Sequence, residues 1–530
     1  MPFVGRRALR LALAGGIVAA LLGGTSRAAS APTTLAKRSV LVLTGHGYGH
    51  GLGMSQWGAY GYAKHGWTYD KILTHYFVGT TIGTTTVSSI RVLLAQEKSA
   101  TITASAAGTV TDAAHTVVQL DPSTPLVLSA ADSTLNPPLT IRSSQPLRLD
   151  GKAYRGRFVV DVVGKQLQVV DVVGLEAYVK GVVPAEMPSN WAPEAVKAQA
   201  VASRSYALAN AAKDKPFDVY GDGRSQVYGG VAAETPAGNA AVDATKHQVV
   251  LYDGKPADTM FFSSSGGRTA SSLETTGVAV PYLQSVVDQY DTISPYHSWG
   301  PVLFDLAKVQ KDLKLKSAIV DLQVTPGTSP RAKRVTATLA DGTTATFTGN
   351  TLRADLGLLS TWFTPELLAL QPPKALAYGS AGTLTGFARG VTDPITLESH
   401  QPGGAWTAVA QVVPAADGTF SAAVQPSVTT QYRLTVGTLH VAYATVGVAP
   451  LLSVDQSATG VSGAVQPAVG GAPVLLQQQS GTVWTTMSST TTDAAGAWSF
   501  GGQLAPGTYR VRCAPGHGFV AAVSPALVVQ

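Results

Sequence analysis

The sequence predicts an α+β fold: a mixed first domain with β-rich segments and a helical core, followed by two small β-sandwich (Ig-like) modules. Three observations carry this expectation. Residues 89–173 hold a run of short Val/Leu-rich segments separated by turns, the pattern of successive strands. Residues 174–212 switch to apolar spacings of three and four, the pattern of helix. The last part of the chain repeats itself: Trp406 recurs as Trp484 and Phe420 as Trp498, both 78 positions on, and Tyr432 recurs as Tyr509 after a one-residue slip. Short alternating strands at that period suit small sandwiches. At 530 residues the chain is also too long for one ordinary core.

Taken in order, the first 31 residues read as a secretory signal. Arg6, Arg7 and Arg10 form a basic start, Leu11 to Leu22 a short apolar core, and Ala29-Ser30-Ala31 a small-residue cleavage site. The adjacent Arg6-Arg7 pair is compatible with twin-arginine export. The apolar run is short for a membrane span, so an uncleaved anchor ranks second, and no other segment is long and apolar enough to cross a bilayer. The chain is therefore expected to be secreted, extracellular or associated with a cell wall.

A glycine-rich loop follows, then two helices. Ser55 is a candidate cap for the first, from about Gln56 to His65, with Gly66 closing it; Thr68 is a candidate cap for the second, with Ile72, Leu73 and Tyr76 on one face and Gly79 after it. After the strands of 89–173, a helix is expected over 174–181, broken at Pro184. A longer one is expected over 193–212, with Pro193 in its first turn and Glu194 at its positive end. Strands return at 249–262, and 334–349 reads as a hairpin with its turn at Asp341-Gly342. The predicted boundaries are 40–365 for the first domain, 366–378 for a linker, and 379–449 and 450–530 for the two modules.

Composition excludes several classes of function. A hydrophobic fraction of 45% rules out wholesale disorder, while a charged fraction of 13% with 55 Gly and 31 Pro favours β structure with tight turns. The formal charge of +6 is partly a targeting effect: removing residues 1–31 takes away Arg6, Arg7, Arg10 and Arg27 and no acid, leaving +2. No concentrated basic stripe remains, so nucleic acid is not an expected partner. Cys513 is the one cysteine, which excludes an intrachain disulfide and a cysteine-based zinc site within the chain.

The residue with the clearest chemical potential is Glu186, in "VVPAEMPSNW". Val182, Val183, Pro184, Met187 and Trp191 surround it locally. A free glutamate titrates at about 4.3, and burial against apolar groups raises that value. A carboxyl held protonated near neutral pH can donate to an ether-like oxygen. The competing reading is a solvated or helix-capping carboxylate, and spacing alone leaves both open.

Further candidates surround it in sequence. Arg204 and Tyr206 lie on the following helix, placed either to reach a substrate or to brace the core. Gln226 and Tyr228 in "SQVYGG", and Ser263, Ser264, Ser265 and Gly266 in "SSSGG", would line a sugar cleft, because amides and hydroxyls match sugar hydroxyls and small residues let backbone approach; turn chemistry alone is the alternative. His46, His50, Ser55 and Gln56 in the glycine-rich loop read as glycan-facing or site-shaping. Glycines around the two histidines argue against a helical metal pair, and neither is followed by the glutamate of a metalloprotease motif.

Four segments together carry a family resemblance: "GVVPAEMPSNWAPEAVKAQAVASRSYAL", "AVDATKHQVVLYDGKPADTMFFSSSGGRTASS" with "VPYLQSVVD" after it, "GHGYGHGLGMSQWGAYGYAKHG" and "LGLLSTWF". Over about residues 40–365 the chain resembles the stage II sporulation protein D (SpoIID/LytB) family. The resemblance implies a lytic transglycosylase acting on peptidoglycan glycan strands stripped of stem peptides, with Glu186 as its acid/base and no cofactor. Peptidoglycan would be the partner, with a cell-wall amidase as a second one. Some relatives are amidase enhancers, so a non-catalytic regulator is the alternative; a wall-anchored structural protein built on the repeated modules is another. Two departures stand out. Some members hold zinc with two cysteines near the positions of Val219 and Ser225, which this chain lacks, so no zinc is expected there. The "GHGxGHGxGMSQ" segment, which often follows the helical core, here precedes it; either the order is rearranged around the same site, the favoured expectation because both orders can bring the loop to one cleft, or the segment serves a different role.

Overall fold

The computed structural model describes residues 38–132, 134 and 136–530. The expected signal segment 1–31 lies outside the described residues. The chain is mixed α/β, with many strands, few helices and several small sheets.

A seven-stranded sheet positions the helical core. Its strands run in the order Val219–Tyr220, Ser89–Glu97, Gln166–Gly174, Arg157–Val163, Leu139–Ser143, Gly108–Thr111 and Val117–Leu120. The strand Gln166–Gly174 is buried from Leu167 to Asp171 and again at Val173, as a strand covered on both faces must be, with Gln168 and Asp171 among its buried side chains. It runs straight into helix α3, Leu175–Glu186. Leu175, Tyr178, Val179, Val182 and Val183 of α3 are buried in the same core as Ile90, Val92 and Val169 of the sheet. Each such side chain contributes about 2 kcal/mol relative to exposure, so the helix that ends at Glu186 is firmly seated.

Helix α3 runs one turn further than the 174–181 expected. Pro184 lies inside it and does not break it. A proline forfeits only the bond to the carbonyl four residues back, here Lys180, and in a last turn little helix remains to disrupt. The turn closes through Met187 N–H on the Val183 carbonyl at 2.9 Å, and the chain then leaves in an extended conformation.

Helix α4, Pro193–Ala209, begins as expected and ends three residues early, at the Asn210 cap. It is buried on most of its surface. Ala195, Val196, Ala200 and Ala207 face the core of α3 and the sheet, whereas Ala198, Val201 and Ala202 face helices α1 (Gln56–Lys64) and α2 (Tyr69–Tyr76). Its small side chains allow close approach from both sides. Ser55 caps α1 as expected, its hydroxyl accepting from Gly58 N–H at 3.1 Å. The hairpin of Ala332–Leu339 and Thr344–Thr348 also forms, with Gly342 at φ +82° in its turn.

The 366–378 segment corrects the expectation of a linker. The strand Trp362–Gln371 continues through half of it and pairs with Ser39–His46 on one side and Gly382–Arg389 on the other. Pro372 and Pro373, which cannot donate to a ladder, end the strand instead. A five-stranded sheet results, in the order Trp299–Asp305, Ser39–His46, Trp362–Gln371, Gly382–Arg389 and Thr419–Val424. Val40, Val42 and Leu368 share a core with Leu397, Tyr432 and Leu434 of the four-stranded sheet that follows. The last stretch of chain has a separate core around Val474, Trp498, Tyr509 and Cys513. Among the described residues, no helix is long and apolar enough to cross a membrane.

Candidate active site

Glu186 is the last residue of α3, at the mouth where the chain turns toward α4. Its Oε1 accepts from Val227 N–H at 2.8 Å, and its residue is partly exposed. Oε2 has no hydrogen-bond partner among the described residues. Burial lifts the carboxyl to about 7, against the smaller opposing effect of the Val227 N–H. No neighbouring carboxylate contributes to that shift. The group thus titrates near neutral pH, with one carboxyl oxygen unpaired among the described residues.

The loop 221–229 supplies the Val227 donor. Tyr228 N–H bonds to the Gly221 carbonyl at 3.1 Å and Gly229 N–H to the Gly181 carbonyl of α3 at 3.0 Å, which folds this loop over the end of the helix. Tyr206, on α4, is half-buried and its hydroxyl has no partner among the described residues. Burial, then the charges of Asp258 and Glu186, push that phenol up to about 12, so it stays a donor.

The glycine-rich loop reaches the same place. The short strand Met54–Ser55 pairs in parallel with Phe261–Phe262, and Trp57 N–H bonds to the Ser263 carbonyl at 2.9 Å. Gln56 Nε2 donates to the backbone carbonyl of Glu186 at 2.9 Å and contacts Gln199 Oε1 at 3.4 Å. The motif that precedes the helical core in sequence therefore contacts the end of α3 at Glu186.

Several candidates serve the framework rather than a cleft. Arg204 is fully buried, its guanidinium forked on Glu176 (3.1 and 2.6 Å) and donating to the Gln248 carbonyl at 2.9 Å. It braces the first turn of α3 and does not reach a substrate. Gln226 is buried, with Nε2 on the Ser203 carbonyl at 3.1 Å. Tyr228 is buried, and its hydroxyl donates to Asp171 at 3.1 Å. His50 accepts from Leu52 N–H at Nδ1 and donates from Nε2 to the Phe261 carbonyl, so both nitrogens are used and burial lowers it to about 4. It shapes the loop.

Ser55, Ser264, Ser265 and Gly266 likewise turn inward, around the fully buried Asp291. Its oxygens accept from Ser55 Oγ at 3.0 Å, Ser264 Oγ at 2.9 Å, and the N–H groups of Ser265 and Gly266, both at 2.9 Å. His297 Nδ1 completes the set at 3.1 Å. Gly266 has φ +75°, and a Cβ there would lie 2.6 Å from that of His46, so the nest requires glycine. The serines were chosen from sequence as sugar ligands because their chemistry suits either partner; the buried acid that claims them gave no signal in "YDTISPYH". Of the remaining candidates, Ser263 is partly exposed, and His46 is half-buried beside Trp362 with Nδ1 on the His297 carbonyl at 3.1 Å. Val219 is buried and apolar, and Ser225 Oγ accepts from Tyr220 N–H at 3.2 Å, so this position does not fit the zinc of some relatives.

Three aromatic residues close to Glu186 were not identified from sequence as site residues: Trp57, Tyr60 and Trp191. Trp191 lies 4.5 Å from both Trp57 and Tyr60, centroid to centroid. The nearest signal was the position of Trp191 five residues after Glu186.

Residues 163–252, which include α3 and α4 and end with the strand Gln248–Tyr252, match the family model described as stage II sporulation protein. An uncharacterized protein of Brachyspira hyodysenteriae is 40% identical over 141 residues, covering 26% of this chain and 38% of that one. The amidase enhancer of Bacillus subtilis is 35% identical over 179 residues, 33% of this chain and 24% of the relative. Stage II sporulation protein D of Bacillus subtilis is 32% identical over 215 residues, 37% of this chain and 61% of the relative. The chain thus spans between 24% and 61% of the length of these relatives. Through the segment that carries Glu186, the protein is thus similar to the SpoIID family.

Proposed function

We propose that this protein is a secreted lytic transglycosylase that cuts the MurNAc–GlcNAc bond of peptide-stripped peptidoglycan strands, with Glu186 as its single acid/base. The observation that carries the reading is the state of Glu186: lifted to about 7 by burial, fixed through Oε1, free at Oε2, and without a carboxylate partner. A hydrolase of the two-carboxylate kind needs a second acid across the bond. A transglycosylase does not.

The steps balance on one residue. Protonated Glu186 donates to the glycosidic oxygen as the C1–O bond of MurNAc breaks, and the GlcNAc hydroxyl leaves. Positive charge on the sugar ring is then offset by the new carboxylate. That carboxylate takes the proton of the MurNAc 6-hydroxyl as its oxygen attacks C1. A 1,6-anhydro end forms, no water is consumed, and Glu186 is again protonated. Tyr206, held as a neutral phenol by burial and the charges of Asp258 and Glu186, would donate to the glycan in this reading.

The experiment uses residues 32–530 with glycan strands pre-stripped by an amidase, and mass spectrometry of the ends. Anhydro ends from the wild type and none from Glu186→Gln are expected. Reducing ends in place of anhydro ends would overturn the transglycosylase reading. A second reading is favoured by one observation, the amidase enhancer among the relatives. In it the protein binds wall and a cell-wall amidase without cutting. Unaltered strands together with amidase stimulation that survives Glu186→Gln would select it.

A further inference from the structure

Trp57 and Tyr60 lie three apart on α1 and therefore share one face of it. The residues between them, Gly58 and Ala59, are buried, whereas Trp57 and Tyr60 are half-exposed. Trp191 comes from the other side, out of the turn between α3 and α4 that its own N–H closes on the Pro188 carbonyl at 3.1 Å. Its ring stacks on Tyr60 at 17° between planes and leans on Trp57 at 53°, both with centroids 4.5 Å apart. Three partly exposed rings thus form one aromatic cluster, in which Tyr60 and Trp191 cover each other's facing sides and Lys64 Nζ lies 5.6 Å from the Tyr60 centroid.

That cluster adjoins Glu186 from two directions. Trp57 follows directly on Gln56, whose side chain holds the Glu186 carbonyl. Trp191 is five residues beyond Glu186. The indole N–H groups also differ from those used in the cores. Trp299 and Trp498 bury theirs, while those of Trp57 and Trp191 remain accessible and have no protein partner among the described residues. An aromatic face with a free N–H at its rim suits a ligand that is apolar on one face and polar at its edge. A pyranose ring has that character: axial C–H groups on its faces, hydroxyls and an acetamido group around its edge.

We infer that Trp57, Tyr60 and Trp191 form the floor on which an N-acetylated pyranose of the glycan strand stacks, in the sugar position next to the bond that Glu186 protonates. The inference rests on reading Glu186 as the acid of a glycan-cutting site, and it adds the surface that orients the sugar. Stacking fixes the ring plane, and the N–H groups at the rim fix its rotation on that plane.

The test separates binding from cutting. An N-acetylglucosamine tetramer is titrated into the Glu186→Gln protein and followed by calorimetry and intrinsic tryptophan fluorescence. Binding with a fluorescence change is expected. Adding Trp191→Ala or Trp57→Ala should weaken it by at least about tenfold, while Trp191→Phe, which keeps an aromatic face, should retain most of it. Thermal unfolding of each variant separates a lost shelf from a lost fold. Tetramer binding that is equally tight in the folded alanine variants, or no tetramer binding by the Glu186→Gln protein, overturns the inference. Binding that depends on the shelf in a protein whose wild type leaves stripped strands intact would instead overturn the cutting reading and leave the shelf standing.

Discussion

Gln56 Nε2 donates to the carbonyl oxygen of Glu186 over 2.9 Å, joining segments 130 positions apart. The last carbonyls of a helix have no partner within it, so this bond satisfies one of them and fixes the residue that carries it. Replacing Gln56 with Ala should cost about 1 kcal/mol of stability. The larger effect should be on turnover, because the peptide of Glu186 is then held only through its own helix. A fall of about tenfold in kcat with little change in KM is expected. Unchanged turnover in a folded Gln56→Ala protein would show that the contact is only architectural.

The pH profile should have one limb. Glu186 must begin protonated, and it is lifted to about 7. As pH rises through that value the protonated fraction falls, so kcat/KM should drop by about tenfold per pH unit well above 7. No fall is expected on the acid side down to about pH 5, because the carboxylate that acts as base is created within each turnover. A bell-shaped profile in that range would require a second titrating group and would count against single-residue catalysis.

The same shift has a cost in stability. A carboxyl whose value is raised by folding binds protons more tightly in the folded state, so stability falls as pH rises from its unfolded value toward about 7. Above that range the full penalty remains. Glu186→Gln removes the charge and should stabilise the protein by about 2 kcal/mol at pH 8, allowing for partial exposure. The gain should vanish near pH 4, where the glutamate is neutral in both states. Denaturant unfolding at the two pH values measures it, and an equal effect at both would point to packing rather than charge.

Local chemistry made much of this site legible. Ser55 caps α1, Pro193 opens α4, and the apolar residues around Glu186 foretold its raised pKa. What local chemistry could not supply was the identity of a partner distant in sequence. Ser264 and Ser265 have the same hydroxyls whether they face a sugar or Asp291. Arg204 has the same charge whether it meets a substrate or Glu176. The 366–378 segment differs from expectation for a related reason: the Leu-rich start of that segment is a central strand, flanked by Gly382–Arg389 on one side and, on the other, by Ser39–His46, more than 300 positions earlier. The tail repeat was visible through its aromatic spacing, but not that Val40 and Leu368 would share a core with Tyr432.

Arg204 decides between two roles that its sequence position allowed. A sugar-binding arginine would be exposed, and its loss would raise KM while leaving the fold intact. This one is fully buried, with three hydrogen bonds to Glu176 and the Gln248 carbonyl. Removing one member of a buried pair leaves the other charge uncompensated, at a cost of about 3–5 kcal/mol. Arg204→Met should therefore unfold at markedly lower denaturant, and the molecules still folded should bind glycan with a nearly unchanged KM. Adding Glu176→Gln should recover part of the loss, since it removes the stranded charge. Glu176 sits in the first turn of α3 and Glu186 at its end, so the pair anchors the helix at the end opposite Glu186. If Arg204→Met instead raised KM severalfold at full stability, the brace would be wrong and the arginine would belong to the glycan.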